Sequence, residues 1–234
     1  MKKTLIITGG SKGIGKSIIL KFLEAKYFVI NISRTPCQLG EVYNIQADLT
    51  ENDVELKIKR ELDSLLKEKS SICLVHNAAY QVNDSVGAQE KYDLEKSLAV
   101  AITLPSLLNG MVIPYMEAGS SIIYIGSTLS VKAVKHAASY IISKHAVAGL
   151  MKATCQDLSD YPIHTCCICP GFTETEMLMS HLKNKPESLE FAKSKVGAKR
   201  LLRPDEIAEI VYFSSKNPAL NGSMLQANLG QLET

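Results

Sequence analysis

The sequence predicts an α/β protein: one doubly wound parallel β-sheet with helices on both faces, in a single domain. Three observations predict it. Short runs rich in β-branched residues alternate with longer amphipathic runs along the whole chain, which is the pattern of a parallel sheet crossed by helices. Several of the short runs are apolar throughout, as strands buried on both faces are. A glycine-rich turn, "TGGSKGIG", stands directly between the first apolar run and the first amphipathic one.

The expected strands are "KTLIIT" from Lys3, "YFVINIS" from Tyr27, "VYNIQ" from Val42, "SICLVH" from Ser71, "SIIYIG" from Ser121, "IHTCCIC" from Ile163 and "SMLQAN" from Ser223. Between them, Ile14, Ile18, Phe22 and Ala25 form one helical stripe, and Val54, Ile58, Leu62 and Leu65 another, each with a charged opposite face. "DEIAEIVYFSS" follows Pro204 and puts Asp205 and Glu206 in the first turn, where the helix dipole favours them. Only "RTPCQLGE" separates the second and third strands, so a loop is expected there in place of a crossover helix. The longest interval without a strand runs from about 173 to 203 and contains "HLKNKPESLEF". It reads as a mobile, partly helical excursion beyond the strand ends, where such folds place substrate. No linker, repeat or low-complexity tract divides the chain, so residues 1–234 form one domain.

Composition excludes several classes of function. The chain has 234 residues, 46% apolar and 21% charged, with 26 basic residues against 24 acidic ones. A net charge of +2 sets up no field that selects nucleic acid or anionic lipid. No unbroken apolar run reaches membrane-spanning length. The opening "MKKTLIITGG" breaks at Gly9 and Gly10, which suits the first strand of a cytoplasmic protein better than a leader. Of the six cysteines, Cys166, Cys167 and Cys169 lie within "HTCCICPG" and read as small buried hydrophobes; no second cluster completes a metal site.

The glycine turn bears on function. Gly9, Gly13 and Gly15 suit a bend that needs positive φ, and without side chains they let a pyrophosphate approach the backbone. The helix that follows offers free N–H groups and a positive dipole end. No Gly-Lys-Ser/Thr closes the turn, so it is not an ATPase phosphate loop. A tight structural turn explains the glycines equally well. Further along, "SYIISKHAVAGL" puts Tyr140 and Lys144 four residues apart, on one helix face.

Here a resemblance adds to the residues. "TGGSKGIG" closely resembles the cofactor motif of the short-chain dehydrogenase/reductase family, and "HNAA" at His76 its Asn-Ala-Gly motif. "IGSTLS" followed by "SYIISK" resembles the catalytic Ser and Tyr-x-x-x-Lys, with Ser127 thirteen residues before Tyr140. "CPGFTET" is similar to the Pro-Gly segment and its later Thr, and "RPDEIAEIVYFSS" and "LNGSMLQANLG" to the terminal helix and strand. The likeness runs from about residue 3 to 230 in the family's order. It implies a Rossmann-type NAD(P)-binding domain with Ser127, Tyr140 and Lys144 as catalytic residues.

By the same resemblance the cofactor would meet Gly9, Ser11, Lys12, Gly13, Ile14 and Gly15 in the glycine turn. It would meet Ser33 and Arg34 after the second strand, and Asp48 and Leu49 after the third. Asn77, Ala78 and Ala79 follow the fourth strand, and Pro170, Gly171, Thr173 and Thr175 follow the sixth. Tyr140 and Lys144 would touch the cofactor as well, while Ser127, Tyr80 and Phe172 would face the substrate. Family members pair through two middle helices, which here implies a homodimer or homotetramer through about 98–115 and 139–158.

Two residues depart from the family pattern. Ala79 replaces the glycine of Asn-Ala-Gly. In "SLAVAITLPSLL", Ala101 stands where the family carries an Asn that holds a water leading to the catalytic Lys; Ser97, one turn earlier, is a substitute by spacing.

The chemistry follows from the side chains. A tyrosine hydroxyl titrates near pH 10; an adjacent ammonium favours the phenolate and brings it into use as a general acid or base. The substrate would be a small or medium ketone, aldehyde or 3-oxoacyl compound, reduced at its carbonyl or, in reverse, oxidised from the alcohol. Ser127 would hydrogen-bond the carbonyl oxygen. The second strand ends "INISRT" with no carboxylate; Arg34 and Lys12 can address a 2′-phosphate, so NADP(H) is expected over NAD(H). His76 is expected to be a packed strand-end residue. The alternative is a non-catalytic, regulatory NADP(H)-binding protein of the same fold, which rests on Ala101.

Overall fold

Each expected strand forms, and each joins the same sheet. The computed structural model describes residues 3–182 and 186–231. In chain order the elements are β1 (Lys3–Thr8), α1 (Gly13–Glu24), β2 (Phe28–Ser33), β3 (Val42–Gln46), α2 (Val54–Leu65) and β4 (Ser71–His76). There follow α3 (Lys91–Leu98), α4 (Leu104–Val112), β5 (Ser120–Ile125), α5 (Ala138–Asp157) and β6 (Ile163–Pro170). Last come α6 (Glu176–Leu182), α7 (Pro186–Ser194), α8 (Pro204–Ser214) and β7 (Met224–Ala227). The sheet order is β3-β2-β1-β4-β5-β6-β7, and every neighbouring pair is parallel. Strand order reverses between β1 and β4, so the loops leaving those two strands diverge and open a crevice at the carboxyl ends.

Alternation along the strands divides the core. Leu5 and Ile7 of β1 face α1 and α8, where Ile18, Ile19, Phe22, Ile207 and Val211 are fully buried. Ile6, Ile30, Leu74 and Tyr124 face the other way, onto α2, α4 and α5 through Ile58, Leu62, Leu108 and Met151. The apolar strands of the sequence are therefore covered on both faces, as parallel sheets require.

No helix joins β2 to β3. Side-chain bonds fold that loop instead: Asn44 Oδ1 accepts from the Cys37 N–H at 2.8 Å and from Asn31 Nδ2 at 2.9 Å. The Ser33 hydroxyl donates to the Thr35 carbonyl at 2.7 Å.

The middle helix runs unbroken from Lys91 to Tyr115 because a π turn over Ala99–Thr103 joins α3 and α4 end to end and a 3₁₀ turn over Ile113–Tyr115 continues α4. By length and composition this is the one described helix able to cross a bilayer, an outcome not visible as an unbroken apolar run. Its apolar positions Val100, Leu104, Leu108 and Val112 are buried in the core.

The excursion after β6 has a closed neck. Leu202 N–H donates to the Phe172 carbonyl and the Glu174 N–H to the Leu202 carbonyl, both at 2.8 Å. Two helices, α6 and α7, fill it. Residues 183–185 of the expected excursion lie outside the described residues.

Candidate active site

The glycine turn is built by close approach. Gly9 has φ +70° and Gly13 φ +53°, conformations that cost other residues strain. A Cβ on Gly15 would lie 2.3 Å from the Gly9 carbonyl oxygen, and one on Gly9 would lie 3.0 Å from Ala78 Cα. Asn77 locks the bend to β4 by donating through Nδ2 to the Thr8 carbonyl at 3.1 Å and the Gly9 carbonyl at 2.9 Å. The Thr8 hydroxyl accepts from the Asn77 and Ala78 N–H groups at 3.1 Å each. Thr175 comes over from the excursion, 3.2 Å from where a Gly13 Cβ would be. Together these leave a cradle of bare glycine backbone at the start of α1, where N–H groups can meet an anion, with the Thr175 side chain and a Glu176 carboxylate oxygen standing over Gly13. Main-chain donors and missing side chains are what a dinucleotide's pyrophosphate would need there. Lys12, the exposed N-cap residue of α1, and Ser11 and Ile14 flank the cradle.

Beside the cradle, Asp48 Oδ1 accepts from the Thr50 N–H at 3.0 Å and the Thr50 hydroxyl at 2.8 Å. Partial burial pushes this carboxyl up, but the Thr50 bonds, aided by Arg34 and Lys96 nearby, hold it below the usual carboxylate range. Leu49 is buried beside it. Arg34 is exposed after β2, while the Ser33 hydroxyl is turned inward to the loop. Tyr80 sits on this side too: its hydroxyl donates to Asp93 Oδ1 at 2.7 Å, and the Lys96 ammonium lies 6.0 Å from its ring centroid. Phe172 is half-buried at the neck of the excursion, and the Thr173 hydroxyl bonds back to the Gly171 carbonyl at 3.0 Å. Pro170 and Gly171 bring the end of β6 to the same rim, where Gly171 packs against Asn228 and Gln231.

The expected catalytic residues come from the end of β5 and the first turns of α5, which packs on the Thr128–Ser130 turn. Ser127 caps that turn: its Oγ accepts from the Leu129 N–H at 3.1 Å, which leaves the hydroxyl proton to be donated elsewhere. Lys144 is only 3% exposed. An ammonium so desolvated needs partners, and one is the Ile125 carbonyl at 2.8 Å. Its Nζ lies 5.5 Å from the Tyr140 ring centroid. Among the described residues the Tyr140 hydroxyl has no protein partner. Ser143 bonds back to the Tyr140 carbonyl at 2.8 Å, a local brace inside the helix.

Beneath this site, Cys167 and Cys169 are fully buried with their Sγ atoms 3.8 Å apart. The hydrogen bond between them raises the Cys167 thiol and lowers that of Cys169, which Ser127, Ser130 and Lys144 lower further. Among the described residues no three His, Cys, Asp or Glu side chains group as metal ligands.

Ala101 is buried in the π turn with no group to hold a water. The Ser97 hydroxyl is turned to the Ser139 carbonyl at 3.4 Å and the Tyr80 carbonyl at 3.5 Å, which braces α3 against α5. Two residues that the motifs do not single out also shape the site. Asn31 Oδ1 accepts from the Gly10 N–H at 2.9 Å, tying the glycine turn to β2, and the Asp84 carboxylate bonds Ser139 beside Tyr140. A lone Asn inside the apolar run "FVINIS" was the available signal for the first; no local pattern marks the second.

Comparison with known proteins agrees with this geometry. A model of the short chain dehydrogenase family matches residues 3–186. An uncharacterized oxidoreductase of Thermotoga maritima is 28% identical over 97% of this chain and 96% of its own length. A 3-oxoacyl-acyl-carrier-protein reductase of the same organism is 26% identical over 90% of this chain and 89% of its own. The crystal structure of a short chain dehydrogenase family protein from Francisella tularensis superposes with a TM-score of 0.87 at 26% identity, covering 98% of both chains. A family match over most of the chain, with the cradle and the Ser-Tyr-Lys group in the family's order, makes this protein a member of the short-chain dehydrogenase/reductase family of oxidoreductases.

Proposed function

We propose that this protein is an NADPH-dependent reductase of small or medium ketones, aldehydes or 3-oxoacyl compounds, running in reverse as an alcohol dehydrogenase. The observation that supports it is that Ser127 stands on the turn after β5 while Tyr140 and Lys144 stand on the first turns of α5, which packs on that turn, with Ser127 and Tyr140 each keeping a hydroxyl proton to give. When bound, the nicotinamide supplies or accepts the hydride. Tyr140 donates its hydroxyl proton to the carbonyl oxygen, or removes it from the alcohol. Lys144 favours the phenolate that remains. Ser127 donates to the oxygen as negative charge develops on it. Gly9, Gly13 and Gly15 would cradle the pyrophosphate, Asp48 Oδ2 would take an adenine N–H, and Arg34 with Lys12 would take a 2′-phosphate.

The substrate class rests on α6 and on one relative. Met177 and Met179 of α6 are partly exposed, at 36% and 38%, which suits an apolar substrate, and one relative is named for a 3-oxoacyl substrate. Leu107 of α4 and Ile142 of α5 are each 44% exposed and suit pairing of two copies through these helices. Sedimentation at micromolar concentration tests that, and a 25.6 kDa species alone would reject it.

A screen of NADPH oxidation against diketones, quinones, pterins, sugars and 3-oxoacyl thioesters tests the main reading, with turnover in at least one class as the expected result. Tight NADPH binding with no turnover would favour a second, regulatory reading, to which the buried methyl group of Ala101 lends its support.

A further inference from the structure

The first turn of α5 carries Tyr140 but has no cap of its own. Its N-cap residue is Ala137, whose methyl group accepts nothing, so the first N–H groups of the helix need acceptors from elsewhere. Asp84 provides them from across the fold. Its main-chain carbonyl accepts from the Ala138 N–H at 3.3 Å, and its carboxylate accepts from the Ser139 N–H at 3.0 Å and from the Ser139 hydroxyl. Gln89 Nε2 donates to Ser139 Oγ at 2.9 Å, and the Ser97 hydroxyl donates to the Ser139 carbonyl. Ser139 is fully buried, and each of its polar atoms is held by the segment from Asp84 to Ser97. The same segment reaches the chain just ahead of the helix: Ser85 Oγ meets His136 Nδ1 at 2.9 Å, and His136 sits at φ +61°.

We propose that Asp84 is a positioning residue for Tyr140: its carboxylate and carbonyl cap the first turn of α5 from outside and keep the phenol in register with Ser127. A carboxylate at a helix N-terminus both completes the N–H groups and complements the dipole. Tyr140 is the third residue of that helix, within the turn that frays first when the cap is lost. Ser127 stands on a different element and would not move with it. The kinetic consequence rests on the carbonyl-reductase reading above; the structural consequence does not.

Two measurements test the proposal. Hydrogen exchange of the amides at 138–141 needs no substrate. Asp84→Ala should speed it several-fold while α1 exchanges as in the wild type, and Asp84→Asn should stay near wild type, because its amide can accept from the Ser139 N–H and donate to Ser139 Oγ. Unchanged exchange in Asp84→Ala overturns the proposal even if no substrate is ever found.

The second measurement is kinetic, on whichever substrate the screen yields. Asp84→Ala should lower kcat by roughly 10- to 100-fold, the scale of an ångström-sized misplacement of a reacting group. The dissociation constant for NADPH should move less than about threefold, and Asp84→Asn should recover most of the rate. Equal losses of kcat and cofactor affinity, or no recovery in Asp84→Asn, overturn it. If Asp84→Ala does not fold, Ser139→Ala takes its place: it deletes only the hydroxyl bond and should lower kcat by a smaller factor with cofactor affinity intact. A wild-type rate in that variant overturns the proposal as well.

Discussion

β5 and α5 together carry two polar constellations that differ in how completely they are satisfied. At the end of β5 and the start of α5, Ser127, Tyr140 and Lys144 keep donors that no described residue takes up. Deeper along the same two elements, Tyr124 and Thr154 belong to a chain that closes almost wholly on itself. His76 Nε2 bonds Asn109 Oδ1 at 2.8 Å, Asn109 Nδ2 donates to the Tyr124 hydroxyl at 2.7 Å, and the Tyr124 hydroxyl meets Thr154 Oγ1 at 2.9 Å. The Thr154 hydroxyl ends the chain on the Leu150 carbonyl at 2.9 Å. On the function proposed above, the polar side chains that do chemistry in this fold are those whose valences stay open. Where those valences are met by neighbours, they hold helix to sheet.

The sharpest test removes one open valence. Tyr140→Phe keeps the ring and loses the proton donor, so kcat should fall by roughly 100-fold or more, while NADPH binding stays within a few-fold by fluorescence titration. Undiminished turnover would show that the open constellation is not the catalytic one.

The closed chain has one flaw, and acid should find it. His76 Nδ1 is buried with no partner, so a proton placed there would be a charged donor without an acceptor. Burial, only partly offset by Asn109, lowers this group from 6.5 to about 4. The unfolded chain thus takes up the proton first as pH falls. The stability due to neutral His76 is whole above pH 6.5 and is lost between there and about 4, a loss of about 3 kcal/mol. Urea midpoints at pH 7.5 and 4.5 should therefore draw together in His76→Phe relative to wild type. An equal acid shift in both proteins would remove His76 as the cause.

The sequence made one of these constellations more legible than the other. Ser127, Tyr140 and Lys144 lie on neighbouring stretches with fixed spacing, and the strand runs are locally apolar, so both survive reading along the chain. Asn109 and Tyr124 read as ordinary helix and strand residues until the fold joins them. The same holds for Asn31, bonded to Gly10 across 21 positions, and for Asp84, bonded to Ser139 across 55. Periodicity reports which face is buried; it carries no record of which polar group another will meet. The π turn at Ala99–Thr103 was hidden for a related reason, since one extra residue per turn leaves no mark in so apolar a stretch.

Arg34 extends the comparison to the adenosine side, where exposed charge stands in for open valence. If Arg34 meets a 2′-phosphate, a charge-assisted bidentate contact is worth a factor of about 10–150 in affinity. Arg34→Ala should lose most of that for NADPH and leave NADH nearly unchanged, and the wild-type preference should weaken with added salt. Equal dissociation constants for the two cofactors in the wild type would make Arg34 an ordinary surface charge.

The smallest effect belongs to the closed chain itself. Tyr124→Phe deletes a hydroxyl that accepts from Asn109 and meets Thr154, in a side chain that is fully buried. Thr154 keeps its bond to Leu150, so only Asn109 Nδ2 is left without an acceptor. An orphaned buried donor costs about 1–3 kcal/mol, and the low end is expected because the amide is neutral and its Oδ1 stays bonded to His76. The phenyl ring keeps the volume and the stack on His76, whose ring centroid lies 4.9 Å away, so no cavity adds to the loss. Denaturant unfolding should show a lower midpoint with an unchanged slope, and kcat should match the wild type, because no valence at Ser127, Tyr140 or Lys144 has been touched. A fall in kcat larger than the fall in stability would mean that the two constellations are coupled through α5, and the division between closed and open polar groups would have to be given up.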